Sequence, residues 1–291
     1  MKLQELMIYP GTLDTAAKDL VRDTAVLAHL AYHNSPDLIL ETLRSEPKYK
    51  KLFLKIAGSP EFVECADCDA QAFIFNYKRS NDEKPTMIVD VRGTTSLMDW
   101  LCNVSTYQST FVDINCSALS NVKVHAGFYR QFKGLFSIFG GKIKEHLDTG
   151  GILICVGHSL GAAVACVAAL YFGMGYKNQV GYVGFGGPRC GNDEFASTFD
   201  EHVSFYYRCK NASDPVPACI PPLAYSHVGY ELHLGPEDFI PDVPVLIDVL
   251  DHSMARYLQA LEKPEEAVSA TPEPTSNWVL RTLSKFKFDF W

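Results

Sequence analysis

A serine with glycines two residues before and two residues after it lies near the middle of the chain, in Gly157-His158-Ser159-Leu160-Gly161. In this G-x-S-x-G pattern the serine occupies a tight turn between a strand and a helix. The turn brings the flanking positions so close together that side chains would clash, and glycine removes those side chains. The pattern therefore makes Ser159 a candidate nucleophile for acyl transfer.

The sequence on either side of this turn predicts the two elements that it needs. Residues 152–156 form a continuous apolar run, which is typical of a strand buried on both faces. The alanine-rich residues 160–171 predict a helix whose free N–H groups point at developing negative charge. Residues 152–175 are long and apolar enough to suggest a membrane span, but Gly157-His158-Ser159 interrupts them. We therefore expect a strand, a turn and a helix.

Strands and helices alternate along most of the remaining chain. The predicted helices cover residues 15–32, 127–147 and 193–201, and the predicted strands cover residues 72–77, 86–91, 122–125, 180–185 and 203–209. A polar loop at 80–85 joins two of these strands as a hairpin. The alternation predicts an α/β fold with a mainly parallel central sheet flanked by helices.

Composition narrows the classes of function. The chain has 291 residues and a formal net charge of −8, which argues against a nucleic-acid partner. Its nine cysteines have no framework spacing, so we expect a reduced protein of cytoplasmic location. Cys65-x-x-Cys68 is a weak metal or redox signal, since no second pair follows at zinc spacing. The first residues show no apolar leader, so no secretory signal is expected.

Several further blocks accompany the serine turn in a fixed order. The blocks are Val91-Arg92-Gly93-Thr94-Thr95-Ser96 with Asp99-Trp100, His125-Ala126-Gly127-Phe128, Gly157-His158-Ser159-Leu160-Gly161, Gly184-Phe185-Gly186-Gly187-Pro188-Arg189-Cys190-Gly191-Asn192, Asp214-Pro215-Val216-Pro217, His227-Val228-Gly229 and Asp251-His252. Together they resemble the fungal-type (class 3) triacylglycerol lipase family of the α/β-hydrolase superfamily. The resemblance implies one α/β-hydrolase domain over 1–262. Beyond it, composition predicts a Pro/Glu-rich linker (263–276) and an aromatic, basic tail (277–291).

The resemblance also implies a catalytic triad in the order Ser159, Asp214, His252, with no metal or organic cofactor. The residues support Asp214, because it follows a predicted strand and Pro215 and Pro217 force a loop there. Other acids and histidines stay open as alternatives; they are Asp193, Asp200, Asp248, His202, His227 and His233. We expect structural roles for His227, as in the family, and for His158 and His125.

The same resemblance places the oxyanion hole at the backbone N–H groups of Thr94 and Leu160. It also implies a short lid helix after Ser96, with an apolar face that covers the site in water. The candidate lid residues are Leu97, Met98, Trp100 and Leu101. The alternative is a fixed surface helix with a buried stripe. For the tail we consider transient contact with a membrane or lipid droplet, docking on its own domain, or addition of a strand at a sheet edge.

The implied activity is hydrolysis of carboxylic esters of lipids, namely tri-, di- or monoacylglycerols. Within enzymes the alternatives are a phospholipase, a small-ester carboxylesterase or a thioesterase, which share the triad chemistry. Outside enzymes the alternative is a lipase-like interaction scaffold. Such relatives usually lack a triad residue, and here all three are present.

Overall fold

A computed structural model describes residues 15–78, 85–93, 107–111, 119–235, 248–262 and 269–272. The helices are α1 (Thr15–Leu30), α2 (Pro36–Ser45), α3 (Lys50–Phe53), α4 (Ala126–Asp148), α5 (Leu160–Gly175), α6 (Asp193–His202) and α7 (Met254–Glu262). The strands are β1 (Glu61–Cys65), β2 (Ala70–Tyr77), β3 (Thr86–Val91), β4 (Gln108–Thr110), β5 (Lys123–His125), β6 (Ile152–His158), β7 (Val180–Phe185), β8 (Phe205–Asn211), β9 (Tyr230–Leu234) and β10 (Ser269–Pro272). A short 3-10 helix, Asp248–His252, precedes α7.

Eight strands form one sheet in the order β1-β2-β3-β6-β7-β8-β9-β10. The five central strands from β3 to β9 run parallel, and antiparallel pairs complete both edges. Every residue of β3, β6 and β7 is buried, as expected for parallel strands covered on both faces. The predicted mainly parallel sheet flanked by helices is confirmed, and so is the β2–β3 hairpin.

Helices cover the sheet on both faces and enclose two apolar cores. One core contains Val89 of β3 together with apolar residues of α4 and α5. The other contains the neighbouring Ile88 together with apolar residues of α1 and α7. Side chains alternate along β3, so neighbouring residues enter different cores. The carboxyl ends of the parallel strands form the edge of the sheet where polar groups collect.

The long apolar segment at 152–175 is divided between β6 and α5, as predicted. Within the described ranges, no helix is both long and apolar enough to span a membrane. The predicted linker at 263–276 differs from the structure at one point, because its residues 269–272 pair with β9 as strand β10. Its remaining residues, and the tail at 277–291, lie outside the described residues.

The cysteines differ in part from the reduced set that we expected. Cys65 and Cys68 are joined as a disulfide, at the end of β1 and the turn that follows it. In this oxidised form the pair has no thiolate to offer a metal. Among the other cysteines in the described ranges, four are buried free thiols and one is half-buried; they are Cys155, Cys166, Cys190, Cys209 and Cys219.

Candidate active site

The turn between β6 and α5 holds Ser159 in a strained backbone conformation. Its φ is +59° and its ψ is −128°, which is a backbone region that residues other than glycine rarely adopt. A Cβ atom on Gly157 would overlap the backbone of Gly161, and one on Gly161 would overlap the carbonyl of Val91. The two glycines of the motif therefore have the close-approach role that the sequence predicted, and the serine lies at the N-terminus of α5.

Asp214 and His252 form a buried pair at the carboxyl ends of the parallel strands, which is also the edge where Ser159 lies. The Nδ1 atom of His252 lies 2.8 Å from Oδ2 and 3.0 Å from Oδ1 of Asp214. Asp214 follows β8, and His252 ends the 3-10 helix before α7. The structure thus brings together the acid and the histidine that the resemblance selected. The Nδ1–H group donates to the carboxylate, which leaves Nε2 as the basic nitrogen of the ring.

Two further donors hold the Asp214 carboxylate. The Tyr257 hydroxyl donates to Oδ2 at 2.6 Å, and the Val216 N–H donates to Oδ1 at 2.9 Å. Burial and then the charge of Asp214 raise the pKa of Tyr257, so its hydroxyl stays protonated. Gly186, at φ +60°, lies against the pair, because a Cβ there would be 2.7 Å from Asp214 Oδ2. The carboxylate is therefore both fixed and stabilised in its charged form.

Two buried atoms of the site have no hydrogen-bond partner among the described residues: Ser159 Oγ and His252 Nε2. Leaving a buried polar group unpaired costs about 1–3 kcal/mol, so such atoms are rare in protein interiors. These two are the atoms that a proton transfer from serine to imidazole would join. Because neither atom is engaged by another described residue, both remain available for that transfer.

His158 connects the serine turn to the segment that carries His252. Its Nδ1 lies 2.7 Å from the Tyr32 hydroxyl, and its Nε2 lies 2.6 Å from the backbone oxygen of His252. Burial and then the nearby His252 lower the pKa of His158 well below its usual value, which keeps the ring neutral. The expectation that His158 has a supporting role fits these contacts.

Side-chain hydrogen bonds to backbone oxygens hold the loop that carries Asp214. Arg189 Nη1 donates to the backbone oxygen of Ile220 at 2.8 Å, and His227 Nε2 lies 2.9 Å from that of Pro217. Burial, followed by the charges of Arg208 and Arg189, lowers the pKa of His227 well below its usual value. His227 is therefore neutral and donates to the loop, as its expected structural role requires.

The remaining predicted residues divide into two groups. Leu160 is the first residue of α5, directly after the serine. His125 accepts a hydrogen bond from the Phe128 N–H at the start of α4, in keeping with a supporting role. Thr94 and the candidate lid residues, namely Leu97, Met98, Trp100 and Leu101, lie outside the described residues.

Sequence reasoning missed Tyr257 and Tyr32. Tyr257 lies five residues after His252 on α7, and Tyr32 lies 126 positions before the histidine that it contacts. No local spacing marks either one. The available signal was weak: both are tyrosines in otherwise apolar helical stretches, where a hydroxyl needs a partner if it is buried.

Comparisons with known proteins relate the chain to lipases. The lipase (class 3) family model matches residues 88–224. The secreted mono- and diacylglycerol lipase 1 of Fusarium solani is 29% identical over 172 residues, which are 58% of this chain and 48% of that protein. A phospholipase A1 of Oryza sativa subsp. indica is 28% identical over 238 residues, 69% of this chain and 53% of its own length. The chain thus spans about half the length of the curated relatives it matches.

Among solved structures, lipase II from Rhizopus niveus superposes with a TM-score of 0.65 at 21% identity. The alignment covers 82% of this chain and 94% of the Rhizopus chain. At this identity the likeness establishes the fold, while the family match covers residues 88–224, which include Ser159 and Asp214. The similarity to class 3 lipases is thus carried by residues 88–224, and the chain has the α/β-hydrolase fold.

Proposed function

We propose that the protein hydrolyses carboxylic ester bonds of acylglycerols through a triad of Ser159, Asp214 and His252. The observation that carries the proposal is the buried Asp214–His252 pair at the same sheet edge as a strained serine turn. The unpaired Ser159 Oγ and His252 Nε2 supply the nucleophile and the base. The similar Fusarium protein is a mono- and diacylglycerol lipase, which supports acylglycerols as the substrate class.

The reaction follows from these positions. Ser159 Oγ attacks the ester carbonyl while His252 Nε2 takes its proton, and the resulting imidazolium is stabilised by the Asp214 carboxylate. His252 then gives the proton to the leaving alcohol as the carbon–oxygen bond breaks, which leaves an acyl-serine. Water repeats the two steps, releases the fatty acid and restores the serine.

The oxyanion of each tetrahedral intermediate needs N–H donors that are already in place. We assign the Leu160 N–H, because Leu160 begins α5 directly after Ser159 and helix N-termini favour negative charge. The second donor is the Thr94 N–H, by analogy with the family. Each such donor contributes about 3 kcal/mol to transition-state stabilisation.

A glycerophospholipid is the second candidate substrate. The rice relative is a phospholipase A1, and its similarity extends over 69% of this chain. Both substrates have the same acyl ester, so the triad does not discriminate between them. Turnover of diacylglycerol and of phosphatidylcholine, presented in the same mixed micelles, decides between the two head groups.

Labelling by a fluorophosphonate tests the nucleophile. We expect wild type to be labelled and to hydrolyse a soluble ester, and Ser159→Ala to do neither. Ser204→Ala is the matched control, because Ser204 is also buried with a hydroxyl that lacks a hydrogen-bond partner among the described residues. Labelling that persists in Ser159→Ala would place the nucleophile elsewhere. A wild type that is neither labelled nor active would favour the interaction scaffold.

Contact with lipid surfaces is a separate proposal. The candidate lid residues Leu97, Met98, Trp100 and Leu101, and the aromatic tail at 277–291, are the segments that we expect to meet a lipid surface. A rate jump at the solubility limit of the ester tests the lid. Vesicle binding with and without the residues after Ser276 tests the tail. The cytoplasmic location stays a prediction.

A further inference from the structure

The ring of His158 lies beside the ring of the proposed base and next to the proposed nucleophile in sequence. It belongs to the residue before Ser159, and its Nε2 lies 2.6 Å from the backbone oxygen of His252. The two imidazole rings lie with their centroids 4.4 Å apart. We propose that His158 is a positioning residue, which holds the backbone of His252 in register with the serine turn through this hydrogen bond. The proposal rests on the triad assigned above.

The direction of the hydrogen bond follows from its partners. A backbone oxygen only accepts, so Nε2 of His158 must carry the proton. In the neutral ring Nδ1 is then an acceptor, and the Tyr32 hydroxyl, 2.7 Å away, is its donor. Burial raises the pKa of Tyr32, so that hydroxyl stays protonated. The contacts therefore form a one-way chain from the Tyr32 hydroxyl through the His158 ring to the His252 carbonyl.

The surroundings of Tyr32 show that this series of hydrogen bonds packs tightly against the serine turn. A Cβ atom on Gly93 would lie 2.6 Å from the Tyr32 hydroxyl and 2.6 Å from the backbone oxygen of His158. It would also lie 3.3 Å from the Cβ of Ser159. A side chain at Gly93 would therefore displace Tyr32 or the serine turn, and glycine leaves room for both.

The short 3-10 helix that carries His252 depends on side-chain contacts for its position. Asn211 Nδ2 donates to the Asp251 carbonyl at 2.9 Å, and the Ser213 N–H lies 3.3 Å from Asp251 Oδ2. The bond from His158 acts one residue further on, at His252 itself. Without it the imidazole keeps its Asp214 contact but loses the restraint toward Ser159. A displacement of about 1 Å at a reacting group costs up to about 100-fold in rate.

Substitution of His158 by residues that keep or remove the donor tests the proposal. The amide nitrogen of glutamine takes the place of Nε2, so His158→Gln keeps the bond to His252, whereas His158→Met is of similar size and has no donor. We expect kcat for a soluble ester to fall about 10- to 100-fold in His158→Met, with KM little changed. His158→Gln should restore most of the loss. Tyr32→Phe, which removes a single hydroxyl, should reduce kcat about threefold to tenfold, since only the support of the ring is lost.

His146 provides the matched control at the opposite end of β6. Its Nε2 lies 3.0 Å from the backbone oxygen of Ile152, so it makes the same kind of bond far along the strand from the serine. His146→Met should leave kcat unchanged. Equal kcat in His158→Met and wild type, or equal losses in the Met and Gln variants at position 158, would overturn the proposal. An equal loss in His146→Met would also overturn it.

Histidine NMR separates this proposal from the triad itself. In wild type we expect the His158 ring nitrogens to show the Nε2–H form, whether or not the protein hydrolyses esters. In His158→Met the line width of the His252 ring signals should increase, because the ring keeps its Asp214 contact but loses its restraint toward Ser159. It should return toward wild type in His158→Gln. An Nδ1–H form at His158 would exclude the proposed bond, while an unlabelled, inactive wild type would count against the triad alone.

Discussion

Asp214 and Asp90 are both almost fully buried, but the hydrogen-bond partners and the protonation of their carboxyl groups differ. Asp214, after β8, is 1% exposed, and its oxygens accept hydrogen bonds from His252, Tyr257 and Val216. Asp90, in β3, is 0% exposed, and neither of its carboxyl oxygens has a hydrogen-bond partner among the described residues. Burial raises the pKa of Asp90 to about 8, so this carboxyl group stays protonated at neutral pH.

The difference shows what makes a buried acid useful. A carboxylate can orient a histidine and stabilise an imidazolium only if it remains charged. Hydrogen-bond donors stabilise that charge inside the protein. Asp90 has no such donors among the described residues, and it avoids charge by keeping a proton. Burial alone therefore does not mark a candidate catalytic acid in this chain, whereas the donors around Asp214 support the proposed one.

The largest expected effect is on catalysis at Asp214. Asparagine at this position keeps the shape but reverses the preference for the Nδ1–H form of His252, so Asp214→Asn should lower kcat about 10,000-fold. Asp90→Asn is the matched control and should leave kcat unchanged. Steady-state turnover of a soluble ester measures both variants. Similar losses at the two positions would mean that the contrast between them has no catalytic meaning.

The next effect is on stability, and it belongs to Asp90. In the folded protein the Asp90 carboxyl group holds its proton up to about pH 8, whereas in the unfolded chain it loses that proton near its ordinary pKa of 3.8. The folded state therefore binds more protons between these values, and stability must fall as pH rises through that window. The slope is at most about 1.4 kcal/mol per pH unit, and it vanishes above the folded pKa.

Asp90→Asn should remove this slope, because an amide does not titrate. Urea unfolding of wild type and variant from pH 5 to pH 9 measures the difference. We expect the two free energies of unfolding to diverge as pH rises and to run parallel above about pH 8. Curves that stay parallel over the whole range would show that Asp90 is charged in the folded protein.

The contrast between these acids also marks how far sequence reasoning reaches. Ser159 could be predicted because its turn has local requirements, namely an apolar strand before it and glycines on either side. Asp214 and His252 could be selected only with the help of the family order, since several other acids and histidines fitted the residues alone. The partners that decide their chemistry are distant, because Tyr257 contacts Asp214 across 43 positions of sequence.

The elements missed from sequence are short or lie near the sheet edges. Strand β1 has five residues, of which Val63 alone is buried, so it lacks the apolar run that marked β3 and β6. Strand β9 is likewise only half covered. Helix α2 had a readable signal that we did not use: Ser35 caps it, and Pro36 occupies its first turn. The carboxyl oxygens of Asp90 have no partner among the described residues, and no signal in the sequence indicates this, because it depends on residues far away along the chain.

A smaller effect is expected where one donor to Asp214 is removed. Tyr257→Phe deletes the 2.6 Å hydrogen bond to Oδ2 and leaves the His252 contact in place. A hydrogen bond to a charged group contributes about 1.5–3 kcal/mol, so kcat should fall about tenfold. Tyr182→Phe is the control, because the Tyr182 hydroxyl is buried too but donates to the neutral carbonyl of Ala162. It should lose stability without losing kcat; a tenfold loss there would point to general loosening of the core.

The smallest effect concerns a third acid, Asp23, which has donors but lies away from the serine. Its Oδ2 accepts from Lys55 Nζ at 2.6 Å and from the Tyr77 hydroxyl at 2.7 Å, in a partly exposed cluster between α1 and β2. Asp23→Asn should cost about 1 kcal/mol of unfolding free energy, as expected for a partly solvated ion pair, and leave kcat unchanged. Thermal unfolding and ester turnover measure the two quantities. If kcat fell as well, the donors around a carboxylate would matter catalytically wherever it lies. If it did not, a catalytic acid in this fold needs both the donors of Asp214 and a place where the parallel strands end beside the serine turn.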